Sequence, residues 1–192
     1  MIYLNDHIDD FDLEEAMNRL SPQRREQVMR YKHEQGRRLS AAAYLLLCEG
    51  LRQEYGITEP PVFGYHEGGK PFIEGHPDIH FNLSHCREAA ICVIAPHPIG
   101  VDVESVRRFK EDLALYTMND QEMEQITCDV RPDIAFIRLW TMKEALLKMT
   151  GEGIRNDLKN LLVEHTDVRF HTIVSPDNRY VYTVASPLTE IR

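Results

Sequence analysis

The chain is 192 residues long, 43% hydrophobic and 28% charged, and 31 Asp and Glu against 22 Lys and Arg give it a net charge of −9. Such a composition excludes a disordered or fibrous chain, and the length suits one domain or two small ones. No run approaches the ~18 apolar residues of a membrane helix, and an acidic chain is a poor broad-surface binder of nucleic acid.

The first residues, Met1-Ile2-Tyr3-Leu4-Asn5-Asp6, carry no basic or long apolar segment of a secretion signal, so a cytoplasmic protein is expected. Ser21 followed by Pro22 reads as a helix cap with proline at the first helical position. The helical stretch that follows has a break at Gly36 and a stop at Gly56, with Leu39, Ala43, Leu46 and Gly50 along one side. Short strand-like runs come next at residues 62–65 and 71–73, separated by the turn-rich His66-Glu67-Gly68-Gly69, and then at residues 79–83, 89–95 and 99–103. Asn119 with Glu122 three residues later marks another helix start. A second long helix spans residues 132–149, with Ala135, Leu139, Met142, Leu146 and Met149 as its core-facing stripe and Gly151 and Gly153 as its stop. Strands at residues 168–174 and 179–185, joined by Pro176-Asp177-Asn178, complete the chain.

Helix followed by strands thus occurs twice, on either side of Pro96-His97-Pro98. The expected class is α+β, with an N-terminal half of residues 1–95, a C-terminal half of residues 96–192, and a cleft between them. The four cysteines, Cys48, Cys86, Cys92 and Cys128, form no CxxC pair and are expected to be reduced, buried packing residues.

The average charge hides an asymmetry. Residues 19–38 hold seven basic and two acidic residues, and residues 111–129 hold six acidic residues and no Lys or Arg. Two solvated helix faces or an anion-binding surface beside a cation-binding one would both produce it.

Three clusters carry chemistry. In Gly100-Val101-Asp102-Val103-Glu104 the strand alternation puts Asp102 and Glu104 on one face. That is either a wet acidic edge or a pair of oxygen ligands for a hard cation such as Mg²⁺. In Trp140-Thr141-Met142-Lys143-Glu144-Ala145-Leu146-Leu147-Lys148, residues 140, 144 and 148 are spaced four apart with Lys143 beside them. The Glu144–Lys148 spacing suits a helix-stabilising pair, or with Trp140 and Lys143 a phosphate site carrying a third carboxylate. In Phe81-Asn82-Leu83-Ser84-His85-Cys86, neighbours point to opposite faces, so no Ser–His or His–Cys dyad forms. His85 is then a phosphate contact or a structural histidine. The string from Gly64 to Lys70 spells GxxxxGK, but Pro71 replaces the hydroxyl residue of a P-loop, so a turn between strands explains the glycines.

Taken in order, Gly69-Lys70-Pro71, the run from Phe81 to His85, the run from Gly100 to Glu104 and the run from Trp140 to Lys148 resemble the motifs of the Sfp-type 4′-phosphopantetheinyl transferases. The resemblance implies a pseudo-dimer of two α+β halves with coenzyme A between them. It implies transfer of the phosphopantetheine arm to a serine of an apo acyl or peptidyl carrier protein, with release of 3′,5′-ADP. By the same resemblance Asp102, Glu104 and Glu144 are the Mg²⁺ carboxylates, and Glu144 is also the base. His85, beside Ser84, meets the 3′-phosphate, Lys143 and Lys148 meet the phosphates, and Lys70 and Arg38 (with Arg37 competing for that place) hold the nucleotide end. Glu122 aligns with a further acidic residue near the site, although its capping role explains it equally well. Cys86 stands where many members have a serine. The basic stretch would face the coenzyme or an acidic carrier, so reversing the charges of Arg24 and Arg25 is expected to weaken carrier binding. A monomer is expected, without nucleic acid or membrane as partner. A non-catalytic coenzyme-binding module of the same fold and a metal-dependent nuclease are the competing readings.

Overall fold

The computed structural model describes residues 1–153 and 157–188, so the end of the expected 96–192 half lies outside the described residues. The chain begins with strand β1 (Ile2–Asn5), a 3-10 turn at Ile8–Asp10, and helices α1 (Leu13–Arg19), α2 (Pro22–Met29) and α3 (Glu34–Tyr55). It continues through β2 (Phe63–Tyr65), β3 (Pro71–Ile73), β4 (His80–His85), β5 (Ala90–Ala95) and β6 (Gly100–Ser105). Helices α4 (Glu111–Thr117), α5 (Asp120–Cys128), α6 (Pro132–Thr150) and α7 (Leu161–Glu164) follow, then β7 (Val168–Val174) and β8 (Tyr180–Pro187). The architecture is mixed α+β, with small sheets and helices packed on them.

Local chemistry sets the helix ends. The Asp12 and Ser21 side chains accept from the backbone N–H groups of Glu15 and Arg24, and Pro22 opens α2. Asn119 and Glu122 form a reciprocal capping box at the start of α5. Gly56 and Gly151, with φ of 68° and 76°, end α3 and α6 in the left-handed conformation. The break in the first helical stretch falls at residues 30–33, and Gly36 lies inside α3. A Cβ at Gly36 would come within 2.8 Å of the Tyr31 ring, so the glycine there permits a close approach and does not interrupt the helix.

Two antiparallel three-stranded sheets form, in the orders β1-β5-β4 and β6-β8-β7, beside the separate β2-β3 hairpin. Every residue of β5 is buried, which accounts for its unbroken apolar sequence. One face of β5, through Cys92 and Ile94, packs with Leu47 and Leu51 of α3. The other, through Ile91 and Val93, packs with Val101 and Val103 of β6 and Val184 of β8. Helix α6 lies across β6 and β8, with Ala145, Leu146 and Met149 against Ala185. Its apolar surface is wider than the expected stripe. Ile134, Phe136, Ile137 and Leu147 are buried as well, because α5, β6, β8 and the segment before β7 enclose most of its circumference, while Leu139 and Met142 stay half-buried.

The cysteines are free. Cys86 and Cys92 are buried and Cys48 is half-buried, but Cys128 at the end of α5 is exposed, contrary to the packing role expected of it. Among the described residues no helix is long and apolar enough to cross a membrane.

Candidate active site

Strands β4 and β6 are hydrogen-bonded edges of their own sheets, and they lie against each other without forming a ladder. Side chains replace it. Asn82 Oδ1 accepts from Val101 N at 2.9 Å, and Ser84 Oγ accepts from Val103 N at 3.2 Å. Unpaired edge N–H groups are costly when buried, so these two side chains satisfy what a neighbouring strand would have satisfied. Asp102 consequently sits in the seam at only 4% exposure, which removes the reading of β6 as a wet acidic edge.

Asp102 Oδ1 accepts from Ser84 Oγ at 3.0 Å and from Lys148 Nζ at 2.5 Å, and Lys148 also donates to Ser84 Oγ at 3.0 Å. Asp102 Oδ2 is buried with no hydrogen-bond partner. A buried carboxylate oxygen left bare is energetically costly, and such an atom marks a place for a cation or donor. Glu104 and Glu144 are half-buried nearby. Burial pushes both carboxyls above the usual carboxylate range, and the Asp102 charge adds to the shift in each. Three hard carboxylate donors with one oxygen already bare suit Mg²⁺ by the chemistry of the donor set. Among the described residues no three His, Cys, Asp or Glu side chains stand close enough to ligate one ion, and the Lys148 ammonium supplies the positive charge on Asp102.

Two cavities flank β4, one beside this cluster and one on the other side of the strand. One of about 310 Å³ is lined by Gly69, Lys70, Asn82, Glu144, Lys148 and Leu158, among others. Lys70 does not project freely into it. Its Nζ donates to Ile99 O at 3.3 Å and to Met149 O at 2.7 Å, and burial lowers its pKa to about 8. The β2-β3 hairpin is thereby tied to the carbonyl end of α6, a favourable place for a cation. At Gly68 a Cβ would lie 2.1 Å from Gly151 O, so only glycine lets the hairpin tip come this close to the helix end.

The second cavity, about 510 Å³, is lined by Arg24, Arg30, Tyr31, Ser40 and His85, among others. It lies on the opposite side of β4, where the alternation of the strand places Leu83 and His85. Burial, followed by the charges of Lys148 and Arg24, holds the His85 imidazole below its ordinary pKa. Arg24 donates to Ser40 O and Oγ at 2.8 and 3.0 Å, stands over the Tyr44 ring, and keeps its Nε buried without a partner. Arg25 turns the other way and donates to the backbone oxygens of Leu20 and Asn18.

Several residues expected at the site lie elsewhere. Arg38 pairs with Glu34 and donates to Asp9 O, and Arg37 donates to Tyr31 O, so neither lines these two cavities. Trp140 packs on Phe136 and lines a separate cavity with Glu104 and Arg107. Lys143 is buried away from Asp102, on Glu122 Oε2 at 2.6 Å. Cys86 donates weakly to Glu88, and burial pushes its thiol up to about 11. Conversely, Arg30, Asn82 and Leu158 line these cavities without a site role expected of them, and Arg24, expected to face the carrier, turns inward to line the second cavity. Only the basic run of residues 19–38 pointed to the two arginines, and nothing in the local sequence pointed to Leu158.

A family model described as the 4'-phosphopantetheinyl transferase superfamily matches residues 98–185, from the approach to β6 through nearly all of β8. A 4'-phosphopantetheinyl transferase of Bacillus subtilis is 28% identical over 180 residues, covering 92% of this chain and 80% of the relative. The transferase Sfp of Bacillus subtilis (strain 168) is 28% identical over 174 residues, covering 88% of this chain and 75% of its own. The transferase gsp of Aneurinibacillus migulanus is 27% identical over 163 residues, covering 83% and 67%. The order of motifs and the helix–sheet pairing agree with these likenesses, and over most of its length the chain is similar to 4'-phosphopantetheinyl transferases.

Proposed function

We propose that the protein transfers the 4′-phosphopantetheine arm of coenzyme A to a serine of an apo acyl or peptidyl carrier protein in the cytoplasm, releasing 3′,5′-ADP. The observation that carries this reading is the Asp102–Ser84–Lys148 cluster, with one buried carboxylate oxygen bare and Glu104 and Glu144 beside it. In this reading the halves, residues 1–95 and 96–192, form a pseudo-dimer that works as a monomer, with the site in the cleft at the β4–β6 seam. The pairing of α3 with one sheet and α6 with the other supports it.

Asp102, Glu104 and Glu144 would hold Mg²⁺, which when bound clamps the pyrophosphate and offsets the charge of the leaving group. Lys148, already at the cluster, meets the phosphates and stabilises charge that develops as the bond to 3′,5′-ADP breaks. The basin of Arg24, Arg30 and His85 takes the 3′-phosphate. Two guanidinium groups and a histidine that gains its proton beside an anion supply the charge, and the buried Arg24 Nε is an unspent donor. Glu144 is the base that takes the proton from the carrier serine, directly or through a water. Lys70 supports the nucleotide end through the hairpin it fastens, while Ser84 links Lys148 to Asp102.

The test is incubation with coenzyme A, Mg²⁺ and several apo-carrier proteins, followed by intact mass measurement. A phosphopantetheine-sized gain on the carrier that is lost in Asp102→Ala supports the reading. Coenzyme binding with no gain on any carrier overturns it in favour of a binding module, and DNA cleavage would favour a nuclease.

A further inference from the structure

Lys143 looks, in sequence, like one of the two phosphate-binding lysines of α6, yet its environment is that of a fastening. At 1% exposure its ammonium donates to Thr117 O at 2.9 Å, Glu122 Oε2 at 2.6 Å and Leu158 O at 2.6 Å. An ammonium has three protons, and all three are used. Reaching a phosphate would mean breaking three buried bonds and abandoning a buried carboxylate, at a cost no single new contact offsets.

The acceptors belong to separate parts of the chain. Thr117 ends α4, and Glu122 belongs to the first turn of α5, where the same Oε2 also accepts from Asn119 N at 2.9 Å. Leu158 lies in the segment between α6 and α7. A second bond runs to that segment from the same corner, Asn119 Nδ2 donating to Lys159 O at 3.0 Å. Leu158 packs with Leu147 and Leu161 and lines the 310 Å³ cavity that also holds Glu144 and Lys148. One buried charge therefore joins α4, α5 and α6 to a wall of the candidate coenzyme pocket.

The geometry points to Lys143, paired with Glu122, as a positioning residue that holds the Leu158 wall of the coenzyme pocket and touches no phosphate itself. The inference rests on reading that cavity as part of the coenzyme site. Glu122, aligned in sequence with either a site residue or a helix cap, caps α5 and anchors this lysine at once. The wall is held by two bonds on adjacent carbonyls, Leu158 O from Lys143 on α6 and Lys159 O from Asn119 at the cap of α5, so loss of either loosens the same segment.

The experiment compares Lys143→Met/Glu122→Gln, which removes both members of the buried charge pair together, with Asn119→Asp, which keeps the helix cap and replaces the donor to Lys159 O by a carboxylate oxygen that the carbonyl repels. Transfer kinetics with varied coenzyme A are measured beside hydrogen exchange of residues 157–164 in the ligand-free protein. The double variant is expected to raise KM for coenzyme A about tenfold with kcat within about threefold of wild type, and to speed exchange across that segment. Asn119→Asp is expected to do the same more weakly, so the inference remains testable if the double variant does not fold. A fall in kcat with KM and exchange unchanged overturns the inference, since Lys143 would then act on the reacting groups. A wild-type protein that does not saturate with coenzyme A overturns the pocket reading and this inference with it. A wild type that saturates, with variants that alter neither KM nor exchange, overturns this inference alone.

Discussion

Lys143 and Lys148 stand five residues apart on one helix and each pairs with a carboxylate, yet their surroundings are opposite. Lys143 has every proton placed, and Glu122 Oε2 accepts both from it and from a backbone N–H. Lys148 is 30% exposed and shares a single oxygen of Asp102 with Ser84, while the other oxygen of Asp102 is buried and bare. The first pair is closed and the second is open. Unspent bonding capacity in a buried place is costly, and it persists where a ligand is to complete it. On this helix the saturated lysine has nothing left to offer a ligand, and the unsaturated cluster keeps bonding capacity for one.

That contrast can be broken at either end. Lys143→Met alone strands the Glu122 carboxylate in the interior and is expected to destabilise the protein by about 3–5 kcal/mol, read as a shift in the urea midpoint at constant slope. Asp102→Ala is expected to lower the rate of carrier modification by about 10²–10³-fold in the intact-mass assay, with the unfolding midpoint close to wild type. Gly100→Ala addresses the distance between α6 and β6. A Cβ there would lie 2.1 Å from Ala145 O and 2.4 Å from Met149 N, so the helix must retreat, at an expected ~1–3 kcal/mol in thermal unfolding and with slower transfer. Lys148→Met takes the ammonium from the buried Asp102 carboxylate and is expected to destabilise the protein by about 1–3 kcal/mol, less than Lys143→Met because Lys148 itself is partly solvated, while weakening coenzyme A binding about tenfold by calorimetry.

The smallest effect concerns His85. Its folded pKa lies below the ordinary value of 6.5, so its contribution to stability is present above that value and is lost as pH falls through the lower folded one. Melting temperatures measured downward from about pH 7 should fall less steeply in His85→Gln than in wild type. Saturating coenzyme A should flatten the wild-type curve, because an anion in the basin stabilises the imidazolium.

Strand and helix order was readable where the chain carries strong punctuation. Ser21-Pro22, the Asn119–Glu122 box, Gly56 and Gly151 mark ends that the structure places at or next to the expected residues. Short elements at Ile2–Asn5, Leu13–Arg19 and Glu111–Thr117 escaped notice, since four to seven residues carry too few periods to stand out. Within the site, alternation along β6 put Asp102 and Glu104 on one face but could not say whether that face was wet or buried. The deciding partners, Asn82 and Ser84, lie about twenty residues earlier in another sheet. Lys143 shows the same limit. Spacing on a helix gives the direction of a side chain, and only the packing of α4 and α5 around α6 reveals that this direction is already filled.

The seam between β4 and β6 also bears on which substitutions the protein tolerates. A backbone ladder is indifferent to sequence, because almost any residue supplies the same N–H and C=O groups. Positions such as Ile91 and Val93, paired through their backbones, can therefore exchange among apolar residues of similar volume. Across the seam the acceptors are side chains, and only a short polar group at 82 and a hydroxyl at 84 reach the N–H groups of Val101 and Val103. In a deep mutational scan these two positions should be among the least permissive in the N-terminal half, and substitutions there should impair folding and catalysis together.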